Sequence, residues 1–353
     1  MRISRLGFPG LLLLLVFSQV FFCPGHLWAH EGWGIVVDRQ GQIYFGDIPT
    51  NTIWKITPAG KLEAALRNKH SHALVFGEDG SVYGTQEDHA TAGRSVWRLA
   101  PEGDVSNVFT PAPDFLLNLH PFILDRAGNI YSTNSISLPE QRRQTKLLKS
   151  TPAGEVTLVA GGASGYRDGH GADAQFSGLD GLAWATDGSL YVTDGVYIRR
   201  VALDGRVSTL GPGALTRQSF GEDLMGLAVS RNGSVYVADY SQRRLLQLLA
   251  GGKARTVLET GWFWSPTGVT EAGEDLYVLE HLRMPLVILG DIGLGPYARV
   301  RKFSADGAVA TIATVWGKNT GTFVLALLAG GASLFFIFRF RQRNMRHRKT
   351  PAT

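Results

Sequence analysis

The chain has 353 residues, with 35 Lys and Arg, 30 Asp and Glu and a single Cys. One Cys excludes a disulfide framework. The surplus of bases lies at the two ends: Arg2 and Arg5 near the start, and five Arg and one Lys within 339–349, with no acid in either segment. Residues 30–319 therefore carry 27 bases against 30 acids, a net charge of −3. The basic pI belongs to membrane topology, and a nucleic-acid surface is excluded.

In chain order, residues 1–29 read as a signal peptide: Arg2 and Arg5, an apolar stretch from Leu6 to Phe22, and the turn-prone CPGHLWA. Ala29 is the preferred cleavage site, and an uncleaved anchor is the alternative. Phe21 and Phe22 before Cys23 argue against a lipoprotein box.

Six units follow, each built around a Tyr: Tyr44, Tyr83, Tyr131, Tyr191, Tyr236 and Tyr277, at gaps of 39, 48, 60, 45 and 41 residues. A Gly precedes five of them by three residues (Gly41, Gly80, Gly128, Gly188, Gly233), and Glu274 holds that place in the sixth. A polar side chain follows each by three: Asp47, Gln86, Asn134, Asp194, Asp239 and Glu280. An apolar run precedes the Tyr strand, and a third strand with alternating Lys or Arg follows it. Four residues beyond each third strand stands a Gly: Gly60, Gly103, Gly154, Gly205, Gly252 and Gly307. Four short strands per unit, repeated six times, predict an all-β, six-bladed β-propeller over 30–317. The blades span about 31–67, 70–110, 118–161, 179–211, 224–260 and 265–315. A two-domain β-sandwich would not explain the sixfold phase.

Two insertions interrupt the pattern, QEDHATAGRS (86–95) in blade 2 and the apolar LRMPLVILGDIGLGPYA (282–298) in blade 6. Trp262, Phe263 and Trp264 read as inter-blade core, with a ligand platform as the alternative. After the last blade, 321–338 is an uncharged apolar run of 18 residues, enough for one transmembrane helix. The basic segment 339–353 reads as a cytoplasmic tail. Ala326/Gly330 and Ala329/Ser333 have the small-xxx-small spacing that permits helix pairing. The expected layout is a single-pass cell-membrane protein with its propeller in the periplasm or outside the cell.

The stretch DGHGADAQFSGLDGLAWATDGSLYVTDGVYIRRVALDGRVSTL (168–209) and GLAVSRNGSVYVADYSQRRLLQL (226–248) resemble NHL repeats. The first unit, EGWGIVVDRQGQIYFGDIPTNTIWKI (31–56), is similar to the first blade of the SMP-30/gluconolactonase propellers. The resemblance covers about 30–315 and implies a fold far more than an activity. A lactonase of that kind implies an acid in the first blade, amide or acid side chains in the middle blades and an Asp in the fifth, all holding a divalent cation. The matching places here are Trp33, His120, Asp180 and Met225, of which Asp180 alone fits. Glu31 and Asp223 lie two residues early.

The first strands start at one mouth of the channel, eight residues before the turn Gly, with Trp33, His72, His120, Asp180, Met225 and, in blade 6, Thr267. His72, His120 and Asp180 on consecutive blades form the candidate metal set, for Zn²⁺, Fe²⁺ or Ca²⁺. A His at this place also resembles propeller lyases such as the peptidylglycine amidating lyase. Channel or rim histidines are the alternative. Candidate ligand-binding residues at the same mouth are Glu31, Trp33, Gln86, Asn134, Asp194, Asp239, Glu280 and His281; for the Asp residues, turn capping is the competing role. No GxSxG elbow or P-loop is present. The expected function is binding of a protein, glycan or small ligand, and the alternative is a metal-dependent lyase or hydrolase.

Overall fold

The structure is a computed structural model that describes residues 32–88, 93–109, 118–137, 143–210, 224–249, 252–282, 295–317 and 319–320. The side chains of 87, 88, 93, 118–120, 134–137 and 143 fall outside that description. So do the leader, Glu31, Asp223, most of the blade 6 insertion, and the segments 321–338 and 339–353. Among the described residues, no helix is long and apolar enough to cross a membrane.

Twenty-five strands form six antiparallel sheets among the described residues. Blade 1 holds β1 (Ile35–Val37), β2 (Ile43–Asp47), β3 (Thr52–Ile56) and β4 (Leu62–Arg67). Blade 2 holds β5 (Leu74–Phe76), β6 (Val82–Asp88), β7 (Gly93–Leu99) and β8 (Val105–Phe109). Blade 3 holds β9 (Asn118–Leu124), β10 (Ile130–Ser137), β11 (Arg143–Ser150) and β12 (Val156–Ala160). Blade 4 holds β14 (Leu179–Trp184), β15 (Leu190–Asp194), β16 (Tyr197–Val201) and β17 (Arg206–Thr209). Blade 5 holds β18 (Leu224–Val229), β19 (Val235–Asp239), β20 (Arg244–Leu248) and β21 (Ala254–Glu259). Blade 6 holds β22 (Trp264–Ala272), β23 (Asp275–Leu282), β24 (Pro296–Phe303) and β25 (Val309–Trp316). Each blade runs from its inner to its outer strand in sequence order. Blade 4 departs from the four-strand expectation, because β13 (Gly169–His170) pairs with β17 as a fifth, outermost strand.

The inner strands β1, β5, β9, β14, β18 and β22 pack in that order, and β22 returns to β1. This is a closed six-bladed ring. The core lies between blades as six clusters, one per interface. The cluster joining blades 6 and 1 contains Ile35, Phe45, Leu279, Tyr297 and Val300. Among the described residues, no strand is exchanged between the first and last sheets. Closure rests on packing and on two polar ties. The Tyr297 hydroxyl donates to Asp47 at 2.7 Å, and Thr267 Oγ1 donates to the Gly32 carbonyl at 3.0 Å. Gly268 lets the backbones approach, since a Cβ there would stand 2.1 Å from the Trp33 carbonyl oxygen. Gly34, Gly181 and Gly226 hold the same place in blades 1, 4 and 5, each against the backbone of the next blade.

The register explains the recurring Tyr. Opposite it on the third strand stands a base in five blades: Lys55, Arg98, Lys149, Arg200 and Lys302, with Gln247 in blade 5. In blade 2 the Tyr83 hydroxyl and Arg98 Nε both bond Asp79 Oδ2, at 3.0 and 2.8 Å. In blade 3 Tyr131 reaches Asp125 and Lys149 sits 5.9 Å over its ring. Burial, then the charge of Asp38, push Tyr44 up to about 12. In blades 1 to 3 the Tyr therefore joins the Asp of its blade's first turn to the third strand. The Gly in that turn has positive φ in five blades, as expected. In blade 6 the turn shortens to two residues, Gly273 and Glu274, between the paired Ala272 and Asp275. There Gly273 takes the positive φ, which is why Glu274 stands in the expected Gly place.

Candidate functional site

The channel mouth is built from the starts of the inner strands and the turns after the second strands. Trp33 N and Gly34 N both donate to the His72 carbonyl, at 2.9 and 2.8 Å, which fixes blade 1 against blade 2. The Trp33 and His72 rings are 5.4 Å apart. His72 is buried, and its Nε2 lies 3.0 Å from His70 Nε2. His70 Nδ1 in turn lies 2.9 Å from Asn51 Oδ1. His70 was not among the expected site residues. Its signal was the HSH run at 70–72, in which repeat phase picks out the second His alone.

Below the mouth, a channel of about 390 Å³ runs between all six inner strands. Trp33, Phe122 and Trp184 line it with small apolar residues, and Glu271 is the carboxylate on its wall. Trp184 is held by its Nε1 donating to the Leu124 carbonyl at 2.7 Å. A larger hollow of about 820 Å³ lies at the opposite end, between blades 5 and 6, around Arg231, Arg255, Glu271 and Glu274. It is an open polar depression at the turn end and does not reach the mouth residues.

Four members of the ring of polar side chains after each Tyr, Asp47, Asp194, Asp239 and Glu280, are held by internal bonds. Asp47 accepts from the Thr50 hydroxyl, from Trp54 Nε1 at 2.8 Å and from Tyr297. Asp194 is fully buried and accepts from Arg199 at 2.7 Å, from the Ser177 and Gly178 amides at 2.7 and 3.1 Å, and from Ser177 Oγ. Arg199 also reaches Asp168 at 2.8 Å and lies over the Phe176 ring. Asp239 accepts from Arg244 at 2.8 Å. Glu280 is fully buried and bonds Arg299 at 2.5 Å and Arg301 at 3.3 Å. Desolvation pushes the Asp47, Asp194 and Glu280 carboxyls up, while the donors and guanidinium groups around them pull down. These carboxylates tie turns and strands together, and a ligand would have to break those ties to use them. Gln86 is half-buried at the same mouth.

Among the described residues, no three of His, Cys, Asp and Glu come together as a metal-holding group. Of the expected set, His72 is buried and Asp180 half-buried, and the His120 side chain lies outside the described residues, as does that of Asn134. One expectation is corrected. Trp262 and Phe263 are 82% and 59% exposed, so they are not inter-blade core. They lie in the turn before β22, where most of their surface faces solvent. Trp264 is half-buried, with Arg299 4.3 Å over its ring.

His281 is buried. Its Nδ1 lies 3.0 Å from Thr267 Oγ1, and its Nε2 has no hydrogen-bond partner. Burial pushes its pKa down from 6.5 to about 3. Between those values the unfolded chain takes up a proton that the folded chain refuses, so stability falls as pH drops through 6.5. From about pH 7.5 to about pH 5, the wild type should lose about 2 kcal/mol more unfolding free energy than His281→Gln. Urea unfolding at both pH values reads the difference, and parallel losses in the two proteins would contradict it.

The family model described as SMP-30/Gluconolactonase/LRE-like region matches residues 31–280. The chain belongs to this family. Its fold is shared with a calcium-binding protein, regucalcin, from Agrobacterium tumefaciens: 12% identity over 73% of this chain and 85% of that one, with a TM-score of 0.53. A gluconolactonase from Xanthomonas campestris is similar at 15% identity, over 70% and 83% of the two chains, with a TM-score of 0.51. A luciferin-regenerating enzyme is similar at 17% identity, with the same coverage and TM-score. No curated protein matches in sequence. At these identities the family members share the ring architecture, and their activities stay their own.

Proposed function

We propose that this SMP-30/gluconolactonase-family propeller is an extracytoplasmic binding module, tethered to the membrane by 321–338 and taking its ligand at the channel mouth. The observation that carries the reading is the commitment of Asp47, Asp194, Asp239 and Glu280 to bonds within the protein. Metal-assisted lactone chemistry uses a carboxylate or amide cluster open to a cation. Here the places that match such a cluster hold Trp33, His120, Asp180 and Met225, of which Asp180 alone is an acid, and the carboxylates of the ring after each Tyr hold the blades. Among the described residues, the mouth also carries the rings of Trp33, His70 and His72, above a channel walled by Trp184 and Phe122. Such a surface suits recognition by stacking and hydrogen bonding. The leader, the uncharged run and the basic tail support an outside propeller with its C-terminus in the cytoplasm.

The test is a ligand screen by thermal shift on the full chain in detergent, using glycans, short peptides and small polar molecules. A ligand that raises Tm, loses that effect in Trp33→Ala and is recovered chemically unchanged bears out the reading. Recovery of a cleaved or ring-opened ligand overturns it in favour of a lyase or hydrolase. For topology, protease added outside intact cells should leave a tag after Thr353 undigested. Digestion of that tag removes the tether from the account.

A further inference from the structure

The mouth end of blade 6 carries a cluster of exposed aromatics that the proposed binding function does not use. Trp262 is 82%, Phe263 59% and Trp316 56% exposed. The register places them together. Trp264 pairs with Leu282 and Pro296 with Trp316, so the start of β22 and the end of β25 lie at one end of the same sheet. Four strands set about 4.8 Å apart make this edge roughly 15 Å wide. Large aromatics exposed along one end of a blade are uncommon and mark a contact surface.

The chain beyond the blade indicates what covers it. Gly317 N donates to the Gly295 carbonyl at 2.9 Å, and Gly295 N donates to Thr320 Oγ1 at 2.8 Å. These bonds hold residue 320 at the same end of blade 6. The uncharged run 321–338 begins at the next residue, so if that run enters a bilayer, the edge starts at the bilayer surface. Trp is the side chain that settles at the boundary between headgroups and acyl chains. Arg243, 5.5 Å from the Trp262 ring, adds a cation suited to anionic headgroups.

We propose that the mouth end of blade 6 docks on a lipid surface, with Trp262, Phe263 and Trp316 seated in the interfacial zone. This rests on the tethered reading above. It adds an orientation to it: the propeller lies against the membrane on one edge, and its mouth opens close to the surface. A ligand or partner held at that surface would reach the channel most directly.

The experiment uses the full chain in phosphatidylcholine–phosphatidylglycerol vesicles, with lipids brominated at the upper acyl positions as quenchers. Trp262→Phe/Trp316→Phe keeps the aromatic character of both sites and removes two reporters. The wild type should be quenched, and the variant should lose more than about half of that quenching. Equal quenching in both proteins overturns the proposal and hands the edge to a protein partner. Carbonate extraction separates the two readings. A chain stripped from the vesicles refutes the tether and the docking together. A retained chain with equal quenching refutes the docking alone.

Discussion

Replacing Arg199 by Ala should lower the unfolding free energy by about 3–5 kcal/mol, one of the largest losses available in this chain. Arg199 is 1% exposed and bridges Asp194, which is fully buried, to Asp168 on the segment before blade 4. Removing the guanidinium strands the Asp194 charge among blade 4 residues. It also frees the segment carrying Asp168 and Gln175, whose carbonyl Arg199 bonds at 3.3 Å. Asp194→Asn in the Arg199→Ala background should recover part of the loss, because the uncompensated charge is gone while the amide still accepts from Ser177 and Gly178. Denaturant unfolding of the two variants measures this. A loss below about 1 kcal/mol in Arg199→Ala would show that the pair is solvated or dispensable.

Gly268→Ala should destabilise the ring by about 1–3 kcal/mol or more, because the new methyl meets a main-chain carbonyl that no rotamer change can move. The loss differs from that of Gly307→Ala in its origin. Gly307 has positive φ and open space for a Cβ, so its cost is backbone strain, whereas Gly268 would force blades 1 and 6 apart. Limited proteolysis distinguishes them. Gly268→Ala should expose the blade 1–blade 6 seam to early cleavage, and Gly307→Ala should leave it protected. Protection in both variants would mean that the Gly268 contact does not hold the ring shut.

The fold was readable from the sequence because its regularity lies in residue types that turns and strands demand. Gly41 and Gly60 mark turns by backbone conformation, and the Tyr recurrence marks one strand in each blade. The seam was equally present, in Gly34, Gly181, Gly226 and Gly268 at one phase of the repeat. It was not recognisable without the neighbouring blade, since a close approach is a property of two strands. The polar residue after each Tyr was visible in the sequence, but the bonds it makes were hidden. That Asp194 meets Arg199, and Glu280 meets Arg299 and Arg301, depends on which face each third strand turns inward. Trp262 and Phe263 show the opposite limit, because an aromatic side chain in a turn gives no sign of its burial. The HSH run at 70–72 shows a third, since repeat phase singled out His72 and passed over its partner His70.

The most direct test of the binding account is elemental analysis of the full chain after incubation with Ca²⁺ and Zn²⁺ and removal of free ions by gel filtration. With Asp47, Asp194, Asp239 and Glu280 committed to internal ties, the protein should retain less than about a tenth of an ion per chain. One retained ion per chain, lost on His72→Ala, would contradict the account and place a metal-dependent reaction at the mouth.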